Sequence, residues 1–170
     1  MKEDTPWRLF LGLWPGAEEQ AALRQHLAQW QWPPQARRTP PERLHITLHF
    51  IGDVPAERVP LLRRELAVPW AGCMLRLDRA EVWPGGIAVL EAQTVPDALA
   101  DLQVRLAEAL VRLELPVESR RYRPHVTLAR KARGARPPAA DAITWSAPPG
   151  YLLLRSVPGG GGYVPLQAFG

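Results

Sequence analysis

The sequence predicts an α+β fold whose strand and helix counts suit two αβ lobes. Three observations support this. A strand-like stretch occurs twice: Arg43 to Phe50 reads RLHITLHF, and Arg123 to Arg130 reads RPHVTLAR. Helical segments are interspersed with strands joined by tight turns, which argues for antiparallel pairing over a doubly wound parallel sheet. A chain of 170 residues, 46% hydrophobic and 22% charged, is enough for one domain, residues 1–170, with a core of its own. Each lobe would carry one His-x-Thr-x motif, at 45–48 and 125–128.

In chain order, the apolar run Trp7 to Trp14 reads as a strand that Pro15-Gly16 ends. Ala17 to Trp30 carries Ala22, Leu23, Leu27 and Trp30 at helical spacing, with His26 expected at its surface or half-buried. Gln31 to Pro41 is Pro-rich and basic and reads as a loop, in which Arg37 and Arg38 could reach a phosphate chain. The first repeat follows and ends near Asp53, a plausible N-cap for a helix to about Leu66. Val59, Leu62 and Leu66 are its apolar stripe, and Pro60 implies a late start or a kink.

Trp70 to Val82 reads as one strand, Trp83 to Gly86 as a turn, and Ile87 to Gln93 as the returning strand of a hairpin. Thr94 to Asp97 has capping-box spacing before a helix whose stripe is Leu99, Leu102, Leu106, Leu110 and Leu113. After the second repeat, Lys131 to Asp141 reads as a basic loop, either a lid or a disordered connector. Ile143 to Ser146, Tyr151 to Val157 and Tyr163 to Phe169 read as closing strands. Gly159 to Gly162 precedes a strand, not a helix, so it reads as a hairpin turn and not as a phosphate cradle.

Alternation on a strand sends Leu44, Ile46 and Leu48 to one face, together with Pro124, Val126 and Leu128. That face is apolar and belongs in the core. The other face carries Arg43, His45 and Thr47 in one copy and Arg123, His125 and Thr127 in the other. His49 falls on this polar face as well, but its counterpart is Ala129, so it has no matched partner. Histidine titrates near neutrality. Two facing histidines suit phosphodiester cleavage, in which the attacking oxygen loses a proton and the departing oxygen gains one. A threonine hydroxyl beside each could bond a phosphate oxygen, and arginine would stabilise charge. The scheme requires no metal and no cofactor.

The formal net charge is +4 and the pI about 9.8, carried almost wholly by arginine: Lys2 and Lys131 are the two lysines. Arginine forks suit phosphate oxygens. The single Cys73 excludes an intramolecular disulfide and a Cys-based zinc site, and its apolar neighbours predict an inert buried thiol. Met1 to Thr5 is charged and no long apolar run follows, so neither a secretory signal nor a membrane span is expected. A cytoplasmic monomer is the expectation.

HITL at His45 to Leu48 and HVTL at His125 to Leu128 resemble the paired signature of the 2H phosphoesterase superfamily. RLFLGLWP, LHITLHFIGDV, YRPHVTLAR and LLLRSVPGGGGYVPL, the last with Ser156 and Tyr163, resemble segments of its RNA 2′,3′-cyclic phosphodiesterase (2′-5′ RNA ligase) branch. The resemblance spans nearly the whole chain. It implies a bilobal fold: two pseudo-symmetric lobes of antiparallel sheet, helices packed on the outside, and an active-site cleft between them. It implies that His45 and His125 are catalytic, with His125 as base and His45 as acid. It further implies that Thr47 and Thr127 bind phosphate, that Arg130 assists them and that Phe10 stacks a base. Strict alternation sets Arg130 on the face opposite His125, so its role needs a bulge or a strand end.

The implied substrate is RNA or an oligonucleotide with a 2′,3′-cyclic phosphate end, hydrolysed to a 2′-phosphate. Joining RNA ends through a 2′-5′ bond would use the same site. A non-catalytic RNA-binding module would suit the basic balance but does not need two matched histidines. A structural metal protein lacks further Cys or carboxylate ligands near the motifs.

Overall fold

The two repeated stretches form strands that lie side by side. The computed structural model describes residues 5–170; residues 1–4, with Lys2 and most of the charged start, lie outside the described residues. In chain order the elements are β1 (Trp7–Leu13), α1 (Ala17–Gln29), β2 (Arg37–Arg38), β3 (Ile46–Val54), α2 (Val59–Glu65), β4 (Cys73–Leu77) and β5 (Arg79–Trp83). There follow β6 (Ile87–Glu91), α3 (Asp97–Arg112), β7 (His125–Arg130), β8 (Ile143–Ala147), β9 (Tyr151–Ser156) and β10 (Tyr163–Phe169). The architecture is α+β with antiparallel pairing throughout. The main sheet runs β10-β9-β1-β3-β7-β6-β5, and β4 pairs with β8 in a separate two-stranded sheet.

β3 and β7 touch through one residue pair, Ile46 opposite Val126. β2 continues the line of β3 along the same edge of β7, pairing Arg37 with Arg130 and Arg38 with Ala129. A 3₁₀ turn at Pro41–Arg43 separates β2 from β3. Each motif strand also carries a bulge at the same place. Gly12 and Leu11 oppose Thr47 and His49, so Leu48 is the extra residue. Val89 and Ala88 oppose Thr127 and Ala129, so Leu128 is the extra residue. A bulge resets the alternation of side chains. Leu48 and His49 are therefore both buried, as are Leu128 and Ala129.

The apolar face expected of the repeats is the core: Leu44, Ile46, Val126 and Leu128 are fully buried. α3 buries Leu99, Leu102, Leu106, Leu110 and Leu113 and packs against β3, while α1 packs against β8. Trp145 of β8 is fully buried in the same core.

Several local expectations change. The first repeat becomes strand only at Ile46, and Arg43 sits in the 3₁₀ turn. Asp53 lies inside β3 and caps nothing; α2 begins at Val59, with Pro60 in the first turn where its missing N–H is harmless. The stretch Trp70 to Val82 is two strands in different sheets, divided at Asp78, whose carboxylate accepts from the Gln93 N–H at 3.0 Å. Pro96, not Thr94, precedes α3, and no side chain caps it. Gln31 to Pro41 is not a plain loop, since it contains β2. Nor is Lys131 to Asp141 disordered: Ala132 is fully buried, and Arg136 exchanges both backbone bonds with Gln31 at 3.0 Å. His26 is buried and accepts from the Trp30 indole N–H at 2.9 Å. Cys73 is half-buried at the start of β4 rather than enclosed.

The α3 stripe supplies a stability test. Leu106→Ala, at a fully buried position, is expected to lower unfolding free energy by about 2–5 kcal/mol. Val111→Ala, at a position 64% exposed, should stay within about 0.5 kcal/mol. Urea denaturation followed by circular dichroism measures both.

Candidate active site

The single pair Ile46–Val126 sets the geometry of what lies on the other face. Both side chains point into the core. Their neighbours therefore point the opposite way, and an antiparallel register centred there sets His45 beside Thr127 and Thr47 beside His125. The two histidines take one diagonal and the two threonines the other. All four line a single cavity of about 640 Å³, together with Arg130 and Phe10. Arg8, Thr39, Arg43, Phe50, Ser156 and Tyr163 complete its walls.

Each histidine is held in the same way. His45 Nδ1 lies 2.7 Å from the carbonyl of Arg43, and His125 Nδ1 lies 2.6 Å from the carbonyl of Arg123. A carbonyl only accepts, so Nδ1–H donates in both, and Nε2 carries the lone pair of the neutral ring. His45 Nε2 is 3.1 Å from the Thr47 hydroxyl, which donates to it when the ring is neutral. The threonine backbones are fixed alike: the Tyr122 hydroxyl donates to the Thr47 carbonyl at 3.0 Å, and the Thr39 hydroxyl to the Thr127 carbonyl at 2.9 Å.

Aromatic rings press on both imidazoles. Trp14 stacks on His45 with centroids 4.5 Å apart and planes within 1°. Trp83 lies 4.4 Å from His125, tilted by 58°, and carries the Arg123 guanidinium 4.4 Å above its own ring. Arg123 in turn forks onto the buried carboxylate of Glu91 at 2.7 and 2.9 Å. Around His45 stand Phe10 at 5.2 Å and Tyr163 at 5.3 Å, and Phe10 also stacks on Phe50 at 6.5 Å.

Burial lowers both histidines below the ordinary value of 6.5. For His45, desolvation leads, the Arg43 carbonyl opposes it, and the charge of His125 lowers it further. For His125, desolvation also leads; the Arg123 carbonyl and Glu91 oppose it, while Arg123 and Arg130 add to it. The charge of His125 is thus felt at His45.

The cavity brings together His45, Thr47, His125, Thr127, Arg130 and Phe10. The bulge at Leu128 turns Arg130 to the cavity side, where it is exposed, which resolves the conflict with strict alternation. By the same device Phe50 faces outward, 54% exposed. His49, expected on the polar face, turns inward instead: it is 4% exposed and its Nε2–H donates to the Gln103 carbonyl of α3 at 2.7 Å. Phe10 lines the cavity although only 3% exposed. Arg43 lines it while donating to the Gly160 carbonyl at 3.1 Å, but Arg123 is tied to Glu91 outside it.

Sequence reasoning missed Trp14, Trp83, Thr39 and Glu91. One signal existed for the tryptophans. Trp-Pro-Gly occurs at 14–16 and again at 83–85, each at a strand end, and each tryptophan meets one motif histidine. Among the described residues no cluster of three or more His, Cys, Asp or Glu side chains is placed to hold a metal ion. Among the same residues no helix is long and apolar enough to cross a membrane.

Comparison with known proteins bears on the family and the fold. The family model of the 2′-5′ RNA ligase superfamily matches residues 17–150. An Escherichia coli (strain K12) protein named RNA 2′,3′-cyclic phosphodiesterase is 31% identical over 154 residues, covering 86% of this chain and 80% of that protein. A Thermus thermophilus protein of the same name is 32% identical over 183 residues, covering 95% of this chain and 89% of that one. The crystal structure of E. coli LigT in its apo form superposes with a TM-score of 0.81 at 27% identity, covering 97% of each chain. A match over most of the sequence, with relatives similar along most of their own lengths, leaves one assignment: this chain belongs to the 2′-5′ RNA ligase superfamily.

Proposed function

We propose that this protein hydrolyses the 2′,3′-cyclic phosphate end of RNA to a 2′-phosphate, by paired general acid–base catalysis without a metal. One observation carries the reading: His45, Thr47, His125 and Thr127 line a single cavity, and each ring has its Nδ1 committed to a backbone carbonyl. Only Nε2 is then left to exchange protons with substrate. The names of the two relatives support the choice of substrate.

In this reading the cyclic phosphate sits between the two histidines. The Thr47 and Thr127 hydroxyls donate to its non-bridging oxygens, and Arg130 neutralises charge that builds in the transition state. Neutral His125 takes a proton from water through Nε2 as the water oxygen bonds to phosphorus. The bond from phosphorus to the 3′ oxygen breaks, and His45 Nε2–H protonates that oxygen. The products are a 2′-phosphate and a 3′-hydroxyl. Phe10, Phe50 and Tyr163 supply an aromatic wall for the terminal base. The chain acts as a single domain of two lobes, one per motif, meeting at the Ile46–Val126 pair.

His45→Ala and His125→Ala are each expected to lower kcat/KM on a cyclic-phosphate oligonucleotide by about 10²–10⁴-fold. A chelator should leave the wild-type rate unchanged. Full activity in the double variant, or strong inhibition by a chelator, contradicts the scheme. One histidine must be neutral and the other protonated, and both values lie below 6.5. The bell-shaped profile of kcat/KM should therefore peak on the acid side of 6.5 and fall as pH rises through neutrality. A plateau extending to alkaline pH contradicts it.

Thr127→Val keeps the shape of the side chain and removes one donor to an anion. A loss of about 10- to 100-fold in kcat/KM is expected, matching about 1.5–3 kcal/mol for a hydrogen bond to a charged group. Steady-state kinetics with unchanged thermal unfolding is the check.

A further inference from the structure

β2 consists of two arginines and nothing else. It is pinned along β7: the Thr39 N–H donates to the Leu128 carbonyl at 2.8 Å, and the Thr39 hydroxyl donates to the Thr127 carbonyl at 2.9 Å. This register sets Arg37 directly opposite Arg130. Like charges facing each other across an antiparallel pair destabilise it. No carboxylate relieves them, since neither arginine forms an ion pair among the described residues. Cross-strand partners share a face, and Arg130 lines the cavity. Thr39, two residues beyond Arg37, lines it too, as strand alternation requires if Arg37 faces the same way. Both arginines are exposed.

We infer that Arg37, with Arg130 beside it, forms a second phosphate subsite at the mouth of the cavity. Its ligand is the phosphodiester on the 5′ side of the terminal nucleoside of the same RNA strand. The inference rests on the function proposed above and specifies its substrate: a strand of at least two nucleotides, not a cyclic mononucleotide. An internal phosphodiester is tethered to the end held in the cavity, so its effective concentration at the subsite is high. Guanidinium forks match phosphate oxygens in pairs. One such anion between Arg37 and Arg130 converts a repulsive pair into two attractive contacts.

The test compares kcat/KM for a dinucleotide ending in a 2′,3′-cyclic phosphate with that for a nucleoside 2′,3′-cyclic phosphate. The wild-type protein should favour the dinucleotide by about tenfold or more, the worth of a charge-assisted contact. Arg37→Gln should lower that ratio severalfold and reduce by about 0.7 the slope of log kcat/KM for the dinucleotide against log salt concentration. Arg112→Gln removes the same charge from exposed α3, which packs on the core side of β3, and should keep the wild-type ratio. A wild-type ratio near one, or a ratio that Arg37→Gln leaves intact, overturns the subsite. Failure of the wild-type protein to turn over either substrate overturns instead the function on which it rests.

Discussion

Everything at this site follows from one contact, the antiparallel pairing of Ile46 with Val126. Each is the middle residue of a His-x-Thr triplet, and each points into the core. Local twofold symmetry about that pair then requires a histidine and a threonine on each side of the centre, all on the other face. Slipping either strand by one residue would turn its histidine into the core and its apolar residue into the cavity. Burial of Leu44, Ile46, Val126 and Leu128 is therefore what sets the geometry of the four motif side chains. The energy that fixes them comes from the hydrophobic face behind them.

The symmetry is local. Each imidazole is fixed by the carbonyl two residues before it and by a tryptophan from a strand end. Trp14 follows β1, the neighbour of β3, whereas Trp83 ends β5, two strands from β7. Arg43 reaches the glycine turn through the Gly160 carbonyl, whereas Arg123 is locked to Glu91. Glu91 opposes the depression of His125, and Arg130 adds to it; neither is among the influences on His45. Two rings that begin equivalent in sequence are thereby set in different fields.

What was legible in the sequence is what period-two alternation and repetition encode. The motif residues declared themselves because the same pattern occurs twice with its apolar face intact. The leucine stripe of α3 was legible for the same reason at period 3.6. The faces of Arg130 and His49 were not, because a bulge residue, Leu128 or Leu48, inverts the positions that follow it directly, and no composition signal marks a bulge. β2 is too short to show any period, and only its ladder with β7 gives it a strand identity. The break at Asp78 between two sheets is likewise a tertiary choice: both flanking segments favour strand, and partner availability alone sends them apart.

The most direct measurement of the convergence is a crystal structure of the protein with a nucleoside 2′-phosphate, the product of the proposed reaction. One phosphate group should lie within about 2.7–3.2 Å of Nε2 of both His45 and His125 and of the hydroxyls of Thr47 and Thr127. A phosphate that touches only one of the two motifs, or that binds outside the cavity, contradicts a shared site.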